Sequence, residues 1–300
     1  MSAFIKSSNC KICRKKGIKI FEKKYTDSVI ISYLKRYYGR KKFVFFKNFL
    51  KKANYNLIKC NKCKFIWQES SPNIKFGNIL YEQIIDKKKS LRKSKKKFQL
   101  RKYKNKSEIS FIINQFDDSK INVLDFGAGW GHWLYSGDFL KFHPYALEMS
   151  NFRKKYIKSL GIRTIDYKNI YNYQNFFHYI RLDQVVEHVS DIRNLFNLLK
   201  KIAMKDCIFY LSVPDGTDVI EDKSKIKFEK GAIQPLEHLN CFSRYSLIKL
   251  LELKGFKKIS IFGIFYMHFK NFLKGKISIS LFLKDLRDCF YSTSIKFKFR

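Results

Sequence analysis

The stretch VLDFGAGWGHWL, residues 123–134, places three glycines within five positions directly after an apolar run. INVLDF, residues 121–126, reads as a buried strand with Asp125 near its end, and Gly127, Gly129 and Gly131 follow at alternate positions. Glycine lets backbone approach a ligand with no Cβ in the way and permits positive φ. In an open parallel sheet, ligands sit beyond the carboxyl ends of the strands, where the strand order reverses. The spacing here is GxGxG rather than the GxGxxG of dinucleotide sites, which points to a ligand without a pyrophosphate. Glu148 stands 23 residues beyond Asp125 at the end of the next apolar run. A carboxylate at that distance hydrogen-bonds ribose hydroxyls in nucleotide-binding βαβ units.

Outward from this turn, strands and helices alternate. A helix is predicted from near His132, then a strand over 144–149 and a helix through NFRKKYIKSL that Gly161 closes. Strands follow at 162–166, 177–183 and 207–214. A helix lies in DIRNLFNLLKKIA, where Ile192, Leu195, Phe196 and Leu199 repeat at helical spacing. A last helix over 243–256 is followed by a strand in KKISIFGIF. This alternation predicts an α/β fold with a mostly parallel sheet and right-handed crossovers.

VLDFGAGWG resembles motif I of class I S-adenosylmethionine-dependent methyltransferases, and ALEMS resembles their second-strand acidic motif. LDQVVEHVSDIRNLFNLLKKI, LSVPDG and EHLNCFSRYSLIKLLELKGF resemble later blocks of one branch. That branch includes ubiquinone-biosynthesis O-methyltransferases and many glycan-cluster methyltransferases. The resemblance runs in order from about 120 to 260. It implies a Rossmann-like doubly wound sheet and S-adenosylmethionine as cofactor. On that resemblance Asp125, Gly127, Gly129 and Gly131 frame the methionine and ribose, and Glu148 takes the ribose diol. Asp166 lies near the adenine, and Asp183 and Gln184 border the methionine end. His178 departs from the branch, which has an acidic residue there, but at the strand end away from the site.

CKIC (10–13) and CNKC (60–63) are two C-x-x-C pairs. Tetrahedral zinc takes four thiolates, and each such turn supplies two, so Cys10, Cys13, Cys60 and Cys63 are expected to hold a structural zinc. The arrangement, with IKCNKCKFIWQESSP and NILYEQI, resembles an N-terminal zinc module that precedes some methyltransferases of this branch, including those acting on nucleotide sugars and other cell-surface precursors. Arg14 and Lys64 depart from its pattern, because Gly usually fills that left-handed position. The expected organisation is a zinc-binding module over 1–85, a basic linker or helix over 86–119, the cofactor-binding methyltransferase domain over 120–264, and a basic, aromatic C-terminal extension over 265–300.

Methyl transfer to a hydroxyl or acidic C–H needs a proton acceptor. His188 in EHV, just after the fourth strand, and His238 in EHLNCF, before the last helix, are the candidate catalytic residues, with Glu187 and Glu237 beside them. Residues 215–237, rich in charge, are a candidate lid. The chain of 300 residues carries 62 Lys and Arg against 25 Asp and Glu, a net charge of +37. That excess fits either a phosphate-bearing or anionic-membrane partner or the Lys-, Ile- and Asn-rich usage of an AT-rich genome. The basic run 86–107 interleaves few aromatics, and no Asn-Pro-Pro-Tyr block of base-methylating enzymes is present. A small-molecule or glycan-precursor acceptor is therefore expected, methylated on O or C, ahead of RNA methylation or a degenerate cofactor-binding role. Without an apolar leader or an 18-residue apolar span, a cytoplasmic location is expected, with peripheral membrane contact open.

Overall fold

In chain order the elements of the computed structural model are β1 (Phe4–Lys6), β2 (Gly17–Lys24), α1 (Ser28–Tyr38), α2 (Arg40–Leu50), β3 (Asn54–Cys60), β4 (Ile66–Gln68), β5 (Ser70–Pro72), α3 (Ile74–Ile79) and α4 (Lys87–Ile113). There follow β6 (Ile121–Phe126), β7 (Phe142–Leu147), α5 (Asn151–Ser159), β8 (Arg163–Ile165), β9 (Phe177–Asp183), α6 (Ile192–Ile202), β10 (Ala203–Ser212) and α7 (Thr217–Glu221). The last are β11 (Asn240–Cys241), α8 (Arg244–Leu253), β12 (Phe256–Lys258), α9 (Ile261–Leu273), α10 (Ile279–Phe290) and β13 (Ser294–Phe299). The structure describes residues 2–84, 86–221, 228, 231–275 and 278–299. The chain packs as two units, each assembled from separated segments. One takes residues 1–87, 186–195 and 213–253; the other takes 88–185, 196–212 and 254–300.

The second unit holds a seven-stranded sheet in the order β12-β13-β10-β9-β6-β7-β8. β6 pairs in parallel with both β7 and β9, so the strand order reverses at the carboxyl end of β6, where Asp125 stands. β6 is buried along nearly its whole length, so side chains on both faces are shielded, which suits a run that is apolar except for Asn122 and Asp125. Its core gathers Val123, Tyr179, Ile208, Met267 and Leu281. The segment 265–300, expected as an extension, supplies β13, which runs antiparallel between β10 and β12.

Two predicted elements differ. The helix expected from His132 is only a 3-10 turn, Leu134–Ser136, which stops at Gly137. The strand expected through 265 ends at Lys258; Ser260 then caps α9, its hydroxyl accepting from the Gly263 amide. The run ISIFGIFYMHF is apolar at every spacing, and periodicity alone cannot separate a buried strand from a helix there.

The first unit holds the sheet β11-β4-β3-β2 and the small β1-β5 ladder. α1 and α2 pack on it through Ile30, Leu34, Phe46 and Leu50, together with Tyr25 and Tyr55. The described part of the expected lid belongs to this core: Val219, Phe228, Ala232, Ile233 and Leu236 are buried in it. Residues 222–227, 229 and 230 lie outside the described residues.

Candidate functional site

In the second unit, a cavity of about 240 Å³ opens over the carboxyl ends of β6 and β9. Asp125, Gly127, Gly129 and Asp183 line it. All three motif glycines adopt positive φ, 77° at Gly127, 59° at Gly129 and 70° at Gly131. They differ in surroundings. A Cβ on Gly127 would lie 2.7 Å from Val185 Cγ2, and one on Gly131 would lie 3.1 Å from Ile157 Cγ1. A Cβ on Gly129 would meet nothing within 4 Å, so its backbone faces open space. That is the cradle a flat, close-lying ligand requires.

The acids around this turn are held differently. Asp125 is buried, and the Arg181 guanidinium donates to it at 3.1 Å and also to Asp183. Burial pushes the Asp125 carboxyl up to about 6 despite that guanidinium. Arg181 stacks on Trp133 at 4.7 Å, which fixes its plane. Glu148 accepts from the Ser150 amide at 2.9 Å, with Arg153 at 3.6 Å, so its carboxylate is anchored at the end of β7. Asp166 is exposed and ion-paired to Lys154 at 2.6 Å; Lys154 holds its carboxyl below the usual range. Gln184 stands at φ 59°, its amide donating to Ser212 O across to β10. Thus the structure brings Asp125, Gly127, Gly129 and Asp183 onto the cavity, while Gly131, Glu148, Asp166 and Gln184 are not among its described lining.

Sequence reasoning missed one wall of this cavity. Ser94, Lys97, Phe98, Arg101 and Asn105 of α4 line it. Ser90 accepts from Trp130 Nε1 at 3.0 Å, and Ser94 hydrogen-bonds His132 Nδ1 at 2.8 Å. The signal was present. In the lysine run, the residues Ser90, Ser94, Phe98, Arg101 and Asn105 recur at three- and four-residue spacing and so share one helix face.

In the first unit, the four sulfurs of Cys10, Cys13, Cys60 and Cys63 lie within 4.8 Å of one another. Cys10–Cys63 is 3.5 Å, Cys13–Cys60 3.4 Å and Cys13–Cys63 3.7 Å, and all four cysteines are free thiols. Zn–S bonds of about 2.3 Å in a tetrahedron separate sulfurs by about 3.8 Å, so this set fits the ion. Arg14 and Lys64 do adopt the left-handed backbone, φ 63° and 58°. Each donates its amide to the first Cys carbonyl of its own turn, which offsets the strain.

His188 and His238 also stand in the first unit, on the 3-10 turn Val186–His188 and just before β11. Asn240 donates to the carbonyls of Val186 and Val189, at 2.8 and 2.7 Å, and so pins the turn. The two imidazoles lie 4.9 Å apart, and Glu187 completes a trio of ligand-type atoms within 4.8 Å. His188 Nδ1 is 2.8 Å from Glu237 O, and His238 Nδ1 is 3.0 Å from Gly231 O. A carbonyl only accepts, so each Nδ1 carries the proton and each Nε2 keeps its lone pair. Burial pushes His188 down to about 4 and His238 to about 3, so both are neutral at pH 7. Two further groups surround them: Tyr81 hydroxyl lies 3.2 Å from His188 Nδ1, and Tyr38 donates to Glu237 Oε1 at 2.6 Å. Neither tyrosine was singled out from the sequence. Such a cluster can accept a proton or orient a hydroxyl.

A family model described as Methyltransferase domain matches residues 98–261. Among solved structures, a SAM-dependent methyltransferase from Archaeoglobus fulgidus is 12% identical, with 75% of this chain and 98% of that chain covered at a TM-score of 0.40. One from Thermotoga maritima is 15% identical, covering 56% and 78%, TM-score 0.39. One from Aquifex aeolicus is 21% identical, covering 47% and 76%, TM-score 0.35. No curated protein matches the sequence. With more than half of its length in the matched region and a glycine turn open at the carboxyl end of β6, the chain belongs to the methyltransferase domain family.

Proposed function

We propose that the enzyme methylates oxygen or carbon on a small-molecule or glycan-precursor acceptor, with a histidine as proton acceptor. The bound cofactor supplies a methyl group already activated on a sulfonium. The chain must then hold the cofactor, hold the acceptor and take up a proton. Gly129 leaves room for the cofactor, Gly127 turns the backbone beside it against Val185, Asp125 and Asp183 offer acids toward its methionine end, and Glu148 is its ribose ligand. Gly131 shapes the turn, Gln184 follows the β9 acid, and Asp166 stands by the adenine in this reading.

The observation that carries it is the histidine pair. Both Nδ1 atoms are occupied by backbone carbonyls, so both Nε2 atoms are left as bases in the neutral form. His188 stands four residues beyond Gln184 in the chain, which favours it over His238. Its low pKa makes it a modest base, and proton uptake would draw on Glu187, 3.8 Å from its Nε2. In the same reading Cys10, Cys13, Cys60 and Cys63 carry a structural zinc. Four thiolates on a divalent ion leave two negative charges, and Lys11, Arg14, Lys15, Lys62 and Lys64 flank them in the sequence.

The test is transfer of labelled methyl from S-adenosylmethionine to a panel of nucleotide sugars and phenolic acceptors, run beside total transfer RNA. Label in a small acceptor, abolished in a His188→Ala, His238→Ala variant that still binds cofactor, supports the reading. Label confined to a single position of a structured RNA replaces it.

A further inference from the structure

α9 is apolar on both of its faces. Its inner face is satisfied: Ile264, Met267 and Asn271 are buried, and Asn271 Nδ2 donates to the carbonyls of Met267 and Phe111. Its outer face is another matter. Phe262, Phe265, Tyr266, Phe269, Phe272 and Leu273 are each at least half exposed, Phe262 at 81%. Their spacing places them on one stripe. α10 adds Ile279 and Leu283, exposed by 70% and 58%. The two helices are held together by Phe265 on Phe282 at 5.1 Å and by His268 on Asp285 at 3.1 Å. An aromatic patch this large on a water-facing surface marks a contact with another phase or partner.

The charges around the patch are predominantly basic, with the exposed Asp117 paired to Lys270 and Lys274. From Lys254 to Arg300 the sequence has eleven basic residues and two acidic ones, and both acids, Asp285 and Asp288, are buried. Beside α9 lies a cavity of about 820 Å³. Lys200, Lys205, Lys257, Lys258, Lys270 and Lys298 line it, with Asp206 the one acid among its described lining. Tyr266 belongs to both the patch and the cavity wall.

We infer that the α9–α10 hairpin docks the enzyme on an anionic phospholipid bilayer, the aromatic stripe entering the interface and the lysine-lined cavity receiving phosphate headgroups. Charge decides between this and a second copy of the chain. Two copies would bring two surpluses of +37 together, whereas an anionic leaflet attracts that charge. Length decides the mode. Thirteen residues of helix span about 20 Å, short of the roughly 30 Å hydrocarbon core, so α9 lies in the interface plane. No described helix is long and apolar enough to cross a membrane. An apolar face together with a basic patch is the two-signal arrangement that reversible membrane attachment needs. The inference does not depend on the acceptor's identity.

The experiment is co-sedimentation of the full-length protein with vesicles of 70% phosphatidylcholine and 30% phosphatidylserine, and with phosphatidylcholine alone. Strong binding is expected to the first and weak binding to the second. A Phe262→Ser, Phe269→Ser, Phe272→Ser variant should bind at least tenfold more weakly, and so should Lys205→Glu, Lys257→Glu, with the melting temperature and cofactor affinity of each reported alongside. Serine variants with unchanged binding, or equal binding to both vesicles, would overturn the inference. So would a dimer by light scattering that the serine variant converts to monomer, which would give the face to self-association.

Discussion

The Gly127 and Gly129 pair offers a test in which stability and affinity separate. Both residues hold positive φ, so alanine at either carries a left-handed penalty of roughly 1–2 kcal/mol. At Gly129 that is the whole folding cost, because the new Cβ meets nothing within 4 Å. At Gly127 the Cβ falls 2.7 Å from a methyl of Val185, a β-branched side chain with little rotameric freedom. Overpacking adds roughly 1–3 kcal/mol there. Gly129→Ala should therefore lower the melting temperature by about 2–8 °C, and Gly127→Ala by distinctly more. Affinity should follow the opposite order relative to stability. The methyl of Gly129→Ala projects into the space assigned to the cofactor, so S-adenosylmethionine should bind at least about tenfold more weakly, near 1.4 kcal/mol. Scanning calorimetry of the cofactor-free protein gives the first quantity and isothermal titration the second. Wild-type affinity in Gly129→Ala would show that this open face is not where the cofactor lies. A melting loss equal to that of Gly127→Ala would contradict the packing argument.

Three further outcomes are expected. Protein purified without added zinc should carry one zinc per chain, lost in Cys60→Ser, Cys63→Ser with cofactor binding retained; a second equivalent would point instead to Glu187, His188 and His238 as an ion site. His188→Ala should lower kcat by roughly 10²–10⁴ with little change in cofactor affinity, and unchanged turnover there and in His238→Ala would remove both as the base. For pH, the two histidines are held below their ordinary value near 6.5. The unfolded chain then binds the extra protons, so their contribution to stability is present above about 6.5 and lost as pH falls toward 4. Asp125, raised to about 6, acts with the opposite sign, destabilising the fold as pH rises from about 4 to 6. His188→Gln should flatten the acid loss and Asp125→Asn the loss on the rising side, both measured as urea midpoints across pH 4–8.

The parts of the fold that were readable are those where local pattern and tertiary role agree. β6, β7, β9 and β10 are apolar runs bounded by turn residues, and the glycines need no partner to announce their backbone. The four cysteines were readable because thiol spacing is chemistry rather than packing. A helix at α4 is one of two readings of the sequence, but its place at the cavity was not legible, since all of its cavity-lining residues except Phe98 are polar and sit inside a lysine run that reads as solvated. β13 was hidden because KFKF alternates like any surface ladder, and nothing local says that it inserts between β10 and β12. The burial of Val219, Phe228, Ala232, Ile233 and Leu236 in the first unit's core depends on partners such as Tyr55, whose hydroxyl donates to Ile233 O, 178 residues away. The pairing of Arg181 with Asp125 and Asp183 was equally invisible, because it requires β6 and β9 to be neighbours.

The most direct measurement is calorimetric titration of the purified protein with S-adenosylmethionine, for wild type and Glu148→Ala. Saturable one-to-one binding is expected, weakened in the variant by about 1.5–3 kcal/mol, or roughly 10- to 150-fold, as one charged hydrogen bond to the ribose is lost. A wild-type protein that takes up no S-adenosylmethionine, or a variant that binds it equally well, would contradict the placement of the cofactor beyond β6 and β7.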